Sequence, residues 1–431
     1  MSDRTSEPTK VASRNVFAAL EIDTRLLGMI GAFVVIALVF NFWTDGRFLT
    51  PRNVFNLTIQ TVSVAIMAAG MVFVIVTRHI DLSVGALLAT VSALMAMTQT
   101  QIIPQDLGLG LNHPTTVFLT IAVGLVAGTL IGAFHGYLVG FLTIPAFIVT
   151  LGGLFVWRNV AWFQTRGQTI GPLDERFQSL GGIGGTLGET GSWIFGMIAV
   201  AAALFGLVTA RRRKIHHEFP VKPLWAEVTL GAIISGAILG FVWILNNYEK
   251  PTRVIQREFE ARGEVMPEGY TEAYGIPYSV LILILVAVVM TMIATKTRLG
   301  RYIFAAGGNP EATSLAGVDI RWLTVKVFAI MGALCAISAV VASARLTFHT
   351  NDIGTLDELR VIAAAVIGGT ALSGGLGTIH GAILGALIMQ SLQSGMAMVG
   401  VDAPFQNIVV GVVLVLAVFV DILYRKRAGI K

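Results

Sequence analysis

Residues 297–320 read TRLGRYIFAAGGNPEATSLAGVDI, a polar, helix-sized island between two long apolar runs near 277–295 and 322–343. Its residues follow the order that helix ends require. Asn309 suits an N-cap, Pro310 the first helical position, Glu311 the positive end of the helix dipole and Gly317 the C-terminal reversal. The pattern predicts a short exposed helix over Pro310–Ala316. Lys296, Arg298 and Arg301 ahead of it are the cations that hold a loop on the cytoplasmic side of a membrane. Such a helix is either a docking element for another protein or an ordinary capped surface helix, and local chemistry serves both.

Outward from this island the chain is apolar. Hydrophobic residues make up 55% and charged ones 13% of 431 residues, and mean hydropathy is +0.77. That describes an all-α polytopic membrane protein, for which the bilayer is the solvent. The 47 glycines exceed the usual share of about 7%, as expected where helices approach closely without a hydrophobic drive between them. The single cysteine, Cys335, supports neither a disulfide framework nor a cysteine metal site, and reads as a small apolar filler. The net charge of +5 does not point to nucleic acid, because its cations concentrate at 211–214, 296–301 and 425–427, beside apolar runs, where they set topology.

Spans are expected near 26–43, 54–76, 82–100, 116–140, 144–163, 193–210, 226–246, 277–295, 322–343, 358–373, 379–399 and 405–424, about twelve helices. The membrane-spanning body is then 26–424, between a polar N-terminal tail, 1–25, and a short C-terminal tail, 425–431. The N-terminal tail has no apolar stretch or cleavage site of the signal-peptide kind. An even count with both termini cytoplasmic places all three basic clusters inside. The loops 164–192 and 247–276 then fall outside; they are landing surfaces for a partner or plain connections.

Two nine-residue stretches match: GTLIGAFHG at Gly128–Gly136 and GTIHGAILG at Gly377–Gly385. They predict an inverted internal repeat, with halves of about 54–163 and 322–424 and inserted spans over about 193–295. Gly128, Gly132 and Gly136, like Gly377, Gly381 and Gly385, recur every fourth residue and line one helix face. Each face is a moving surface beside a pathway or a static packing seam.

Polar groups among the apolar runs are the remaining candidates. Asp81 is placed to cap the helix that carries Gly85, and with Ser83 it is alternatively a gating or substrate group. His135 and His380 either face a pathway or bond between helices. Pro145 and Pro404 are expected to break two spans, and the glycines at 368–377 another. Thr150, Trp157, Asn159, Gln390 and Gln393 suit a neutral, hydroxyl-rich solute better than an ion.

Four stretches together resemble one family, the ribose and xylose type ABC importer permeases: GGN-x-EA at Gly307–Ala312, HIDLSVG at His79–Gly85, PAFIVTLGG at Pro145–Gly153 and AAAVIGGTALSGGLG at Ala363–Gly377. The resemblance implies a bacterial inner-membrane permease for a monosaccharide, with spans 193–210 and 226–246 an insertion typical of the xylose branch. It implies that Gly308, Asn309, Pro310, Glu311, Ala312 and Gly317 form a coupling helix that enters a cleft on a separate ATPase subunit, which holds ATP and Mg. A periplasmic sugar-binding protein and a second permease copy are the other implied partners. Permeases of the same fold for branched-chain amino acids or nucleosides are the alternative.

The chain has no G-x-x-x-x-G-K-[ST] loop, H-E-x-x-H helix, G-x-S-x-G elbow or C-x-x-C pair. No catalytic residue, metal ligand or bound cofactor is therefore expected in it. A proton- or sodium-coupled transporter is the rival class, and it would usually need carboxylates within the spans.

Overall fold

The computed structural model describes residues 24–110, 112–261 and 263–427. The expected N-terminal tail lies outside them up to residue 23, and the C-terminal tail beyond residue 427. In chain order the helices are α1 (Thr24–Trp43), α2 (Pro51–Val76), α3 (Val84–Met97, continued by a wider π-helical stretch Thr98–Asp106), α4 (Thr116–Gly140), α5 (Ala146–Thr165), α6 (Gly188–His216), α7 (Leu224–Asn246) and α8 (Thr252–Ala261). They continue with α9 (Tyr278–Lys296), α10 (Arg298–Gly308), α11 (Pro310–Leu315), α12 (Ile320–Leu346), α13 (Asp357–Ile367), α14 (Ile379–Met398) and α15 (Ala403–Arg427). No strand occurs among the described residues, only isolated bridges between loops.

A helix that is apolar on every face has to be surrounded, and α2, α3 and α12 are mostly buried. Every residue of α2 from Val64 to Val76 is buried, as are most of α12. The two run antiparallel, with Ser63 Oγ 2.7 Å from Ser338 Oγ. Ser338 also donates to the Ser63 carbonyl at 2.9 Å. On this pair rest α4, against α12, and α14, against α2. The inserted α6 and α7 instead pack on each other and expose Ile198, Phe205, Val228 and Trp243, apolar faces whose stable setting is lipid.

Ten helices among the described residues are long and apolar enough to cross a membrane, against the twelve expected. The two that differ lie at the C-terminal end. The expected span 358–373 is a helix of 11 residues, α13. It ends because Gly369, just past the C-cap Gly368, takes φ +85°, a conformation that stops a helix and that glycine adopts freely, and Gly374 and Gly375 (+88° and +76°) keep the helix from resuming before α14. The expected span 405–424 lies within α15, whose apolar described part is Ala403–Phe419. Pro145 and Pro404 do not break helices; they start α5 and α15, where a fixed φ and a missing N–H cost nothing.

The matched nine-residue stretches occupy different places. Gly128–Gly136 lies well inside α4, whereas Gly377 precedes α14, which Thr378 caps through a bond from Gly381 N at 3.3 Å. Their partners differ too. A side chain on Gly128, Gly132 or Gly136 would run into Gly332, Phe328 or Val325 of α12, backbone against backbone. Gly381 and Gly385 press instead on Gly368 and Ala364, at the end of α13.

Loops gather at two ends. One holds 297–319, the end of α2 and the loop 368–378, with Gly375 N donating to the Val76 carbonyl at 3.0 Å. At the other, Ile170 pairs with His349, Leu187 N reaches the Ile276 carbonyl at 2.9 Å and Glu249 pairs with Ala273. There Lys250 lies 2.8 Å from Glu272 and 3.2 Å from Glu258. Burial would lower its pKa, but the bonds and charges of these two carboxylates raise it above the usual lysine value.

Candidate functional site

The polar island folds from its own side chains. Thr297 caps α10 by accepting from Gly300 N at 3.2 Å, and Asn309 Oδ1 caps α11 by accepting from Ala312 N at 3.0 Å. Pro310 and Glu311 occupy the first turn. The six-residue helix stops at Leu315, one residue before the expected end, because Gly317 turns at φ +88°. Asp319 then caps α12 with bonds from Arg321 N (2.9 Å) and Trp322 N (3.2 Å). Gly308, Asn309, Glu311, Ala312 and Gly317 are exposed, and Leu315 stands 90% exposed on a polar loop. Between α10, α11 and the start of α12 opens a cleft of about 680 Å³, lined by Tyr302, Asn309, Thr313, Asp319 and Trp322 among others.

The island is tied to the core by Arg78, a residue the sequence reading passed over. Its Nε donates to the Gly307 carbonyl and its Nη2 to the Gly308 carbonyl, both at 2.8 Å. A guanidinium at the C-terminal end of α10 satisfies carbonyls that the helix leaves open and faces the negative end of its dipole. Arg78 itself has φ +65°, and Gly307 abuts the Val76 carbonyl and Gly375. The polar island, the end of α2 and the loop after α13 therefore meet at one point. The signal available in the sequence was a lone arginine between an apolar run and HIDLSVG.

Four of the polar candidates come together behind that point. Asp81 does not cap α3; Ser83 holds the N-cap position, and Asp81, two residues earlier, accepts from Ser83 N (2.8 Å) and Ser83 Oγ (2.6 Å). Ser83 Oγ lies 3.3 Å from His135 Nδ1, and Trp157 Nε1 donates to His135 Nε2 at 2.8 Å. An indole N–H only donates, so Nε2 accepts, the imidazole proton sits on Nδ1, and the bonds run one way from Trp157 to Asp81. Asp81, Ser83 and His135 are buried. Thr150 fastens the same loop through the Ile80 carbonyl at 3.2 Å, and Gly153 lies against His135 because a side chain there would strike the ring.

Beyond this chain the two broken segments cross. Gly85, at the start of α3, touches the backbone of Gly354 and the carboxylate of Glu358 in the first turn of α13. Arg158 Nη1 donates to the carbonyls of Asn351 (2.9 Å) and Ile353 (2.7 Å), fixing the loop that carries Gly354. Gln390 and Gln393 lie elsewhere, on the wall of a separate polar cleft, where Gln390 Nε2 donates to Gln60 Oε1 at 3.0 Å. Asn159 is exposed and bonded to its own helix at the Phe155 carbonyl. His380 is exposed in the first turn of α14, away from His135.

Residues 53–418 match the family model described as branched-chain amino acid transport system / permease component. The chain is 34% identical over 407 residues to the xylose transport system permease protein of Escherichia coli K12, covering 94% of each. It is 33% identical over 412 residues to the protein of the same name from Haemophilus influenzae, covering 96% of this chain and 100% of that one. To the ribose import permease protein of Escherichia coli K12 it is 31% identical over 397 residues, covering 91% and 92%. No solved structure matches.

Proposed function

Because the chain belongs to the branched-chain amino acid transport system / permease component family, we propose that it is the membrane-spanning subunit of an ATP-driven, binding-protein-dependent importer whose solute is xylose or a similar monosaccharide. The observation that carries the sugar is the end-to-end likeness to xylose permeases, 34% over 94% of both chains. The family description itself favours a second reading, a branched-chain amino acid. The two solutes differ in charge pattern: a sugar is neutral, an amino acid zwitterionic.

In this reading the chain carries no catalytic residue. ATP and Mg belong to a separate ATPase, which docks on Gly308–Ala312 and Gly317 at the cytosolic face of a bacterial inner membrane. Both termini are cytoplasmic, and the opposite end, with 164–192 and 247–276, receives a periplasmic sugar-binding protein. A second permease copy completes the pathway. Supporting the docking role are the exposed Leu315, the internal caps and the Arg78 tie to the core. Inversion of the halves 54–163 and 322–424 is part of the same reading. It rests on reciprocal packing, α4 on α12 and α14 on α2, and on the break that precedes both α3 and α13, not on the glycine match.

The experiment is to identify the solute that the cognate binding protein retains. Xylose or another monosaccharide is the expected result; a retained branched-chain amino acid selects the second reading.

A further inference from the structure

A cleft of about 530 Å³ opens between α2, the end of α12, the loop 347–356 and α14, within the range of about 300–1,000 Å³ typical of small-molecule sites. Its wall is unusual for a protein of this composition. Gln60 stands on α2 and Gln390 and Gln393 one turn apart on α14, with Ser63 and Ser394 beside them. Its charges are Arg345 and Arg360 against Asp352 and Asp357, two of each sign, so they cancel. Arg360 Nη1 lies 3.1 Å from Asp357 Oδ1, while its Nε is buried without a hydrogen-bond partner among the described residues. Among the described residues, no aromatic side chain lines the cleft.

A second cleft, of about 480 Å³, lies towards the docking element, framed by Arg78–Ile80, Val139 and Thr143–Phe147. The first is bordered by the ends of α12 and α14 and by Gln406 at the start of α15; the second by the ends of α2 and α4 and the start of α5. With α2 matched to α12, α4 to α14 and α5 to α15, the same three elements frame both clefts at opposite ends of the bundle. Gly354 of the Gly85–Gly354 crossing borders the first cleft, and Asp81, at one end of the chain to Ser83 and His135, follows the Arg78–Ile80 stretch that borders the second.

We propose that the first cleft is a low-affinity binding station for a neutral polyhydroxylated solute, on the side of the crossing away from the docking element. It rests on the permease reading above and assigns a site within it. Each amide offers both a donor and an acceptor, as each solute hydroxyl does. The cancelled charges leave no net field to hold an ion. A buried Arg360 Nε without a partner is a donor that an incoming hydroxyl satisfies. The lack of an aromatic platform removes the largest apolar contribution to sugar affinity, which suits a station that must release what it receives.

Cys335 is the only cysteine and is buried, so the wild-type chain is a silent background for thiol labelling. The Gln393→Cys and Ser394→Cys variants, the second nearly isosteric, are assembled with the ATPase and binding protein in proteoliposomes. Each is treated with a membrane-impermeant maleimide from the face opposite the docking element. Both should label, and saturating xylose should slow labelling about fivefold or more by occupancy, while leucine should not. Failure of both variants to label, or labelling that xylose leaves unchanged in a transporter that imports xylose, overturns the site and leaves the permease reading standing. Protection by leucine in place of xylose overturns the solute class. A wild-type transporter that imports no sugar refutes the reading on which the site rests.

Discussion

The polar island at 297–320 and the Gly85–Gly354 crossing are both turns between helices, yet they are built in opposite ways. The first is closed by bonds that reach three residues, Thr297 to Gly300, Asn309 to Ala312 and Asp319 to Trp322, and most of its surface is exposed. The second joins segments some 270 residues apart, glycine backbone to glycine backbone, with Glu358 sealed over it. A self-contained exposed turn tolerates change and transmits force through few contacts. A crossing without side-chain slack tolerates none.

The largest expected effect follows from that. In Gly85→Val the new side chain meets the Gly354 carbonyl and the Glu358 carboxylate, and in Gly132→Leu it meets the backbone of Phe328. Overpacking of this kind costs typically about 1–3 kcal/mol, more when backbone must move. Both variants should lose thermal stability in detergent and fail to accumulate in membranes. Wild-type melting temperatures would mean that the crossing and the α4–α12 seam are looser than described.

Arg78 ties the first region to the end of α2 through the Gly307 and Gly308 carbonyls, so its removal should loosen that turn from the core. Arg78→Ala should keep ATPase binding in a pull-down while uptake per ATP hydrolysed falls about tenfold, the loss of two charge-assisted bonds of roughly 1.5–3 kcal/mol each being partly relieved by water. Arg78→Lys should recover part of it. An unchanged ratio of uptake to hydrolysis would remove Arg78 from the transmission route.

The loop that carries Gly354 also holds a buried imidazole. Burial lowers the His349 pKa from 6.5 to about 4; a bond with Asn351 opposes this and Arg158 adds to it. As pH falls below 6.5 the unfolded chain takes up a proton that the folded one refuses. Stability from this group is therefore complete above about 6.5 and declines until about 4. A His349→Gln variant should show a shallower loss of melting temperature across that window. An identical pH profile would place His349 in contact with solvent.

How much of this could be read from the sequence depended on distance along the chain. The caps of α11 lie beside the residues they serve, so Asn309, Pro310, Glu311 and Gly317 were legible, and the end of the helix was off by one residue. Asp81 was recognised as special but given the position that Ser83 holds, because an Asx bond to a residue two on looks the same as a cap in sequence. Asp81, Ser83, His135 and Trp157 were each picked singly; that they form one chain depends on α4 and α5 packing beside α3. Arg78 was lost among cations that usually mark topology. The span at 358–373 looked continuous because hydropathy does not register three glycines at positive φ. The nine-residue match does not by itself carry the packing partner: a glycine every fourth residue suits any close helix contact, whether with α12 or with α13.

The smallest effect belongs to the exposed turn. Glu311→Lys reverses a dipole interaction worth about 0.3–1 kcal/mol, and Gly317→Val places a β-branched residue at φ +88°. The double variant should insert and melt as wild type, because the buried core is untouched, yet lose ATPase binding in a pull-down. Full binding and uptake would return the helix to an ordinary surface role.

The dependence of transport on an ATPase docked at this turn is tested most directly by uptake of labelled xylose into proteoliposomes. One set holds the permease alone under an imposed proton or sodium gradient; the other holds permease, ATPase and binding protein with ATP at the docking face. Uptake only in the second set is the predicted result. Gradient-driven uptake by the permease alone would contradict it.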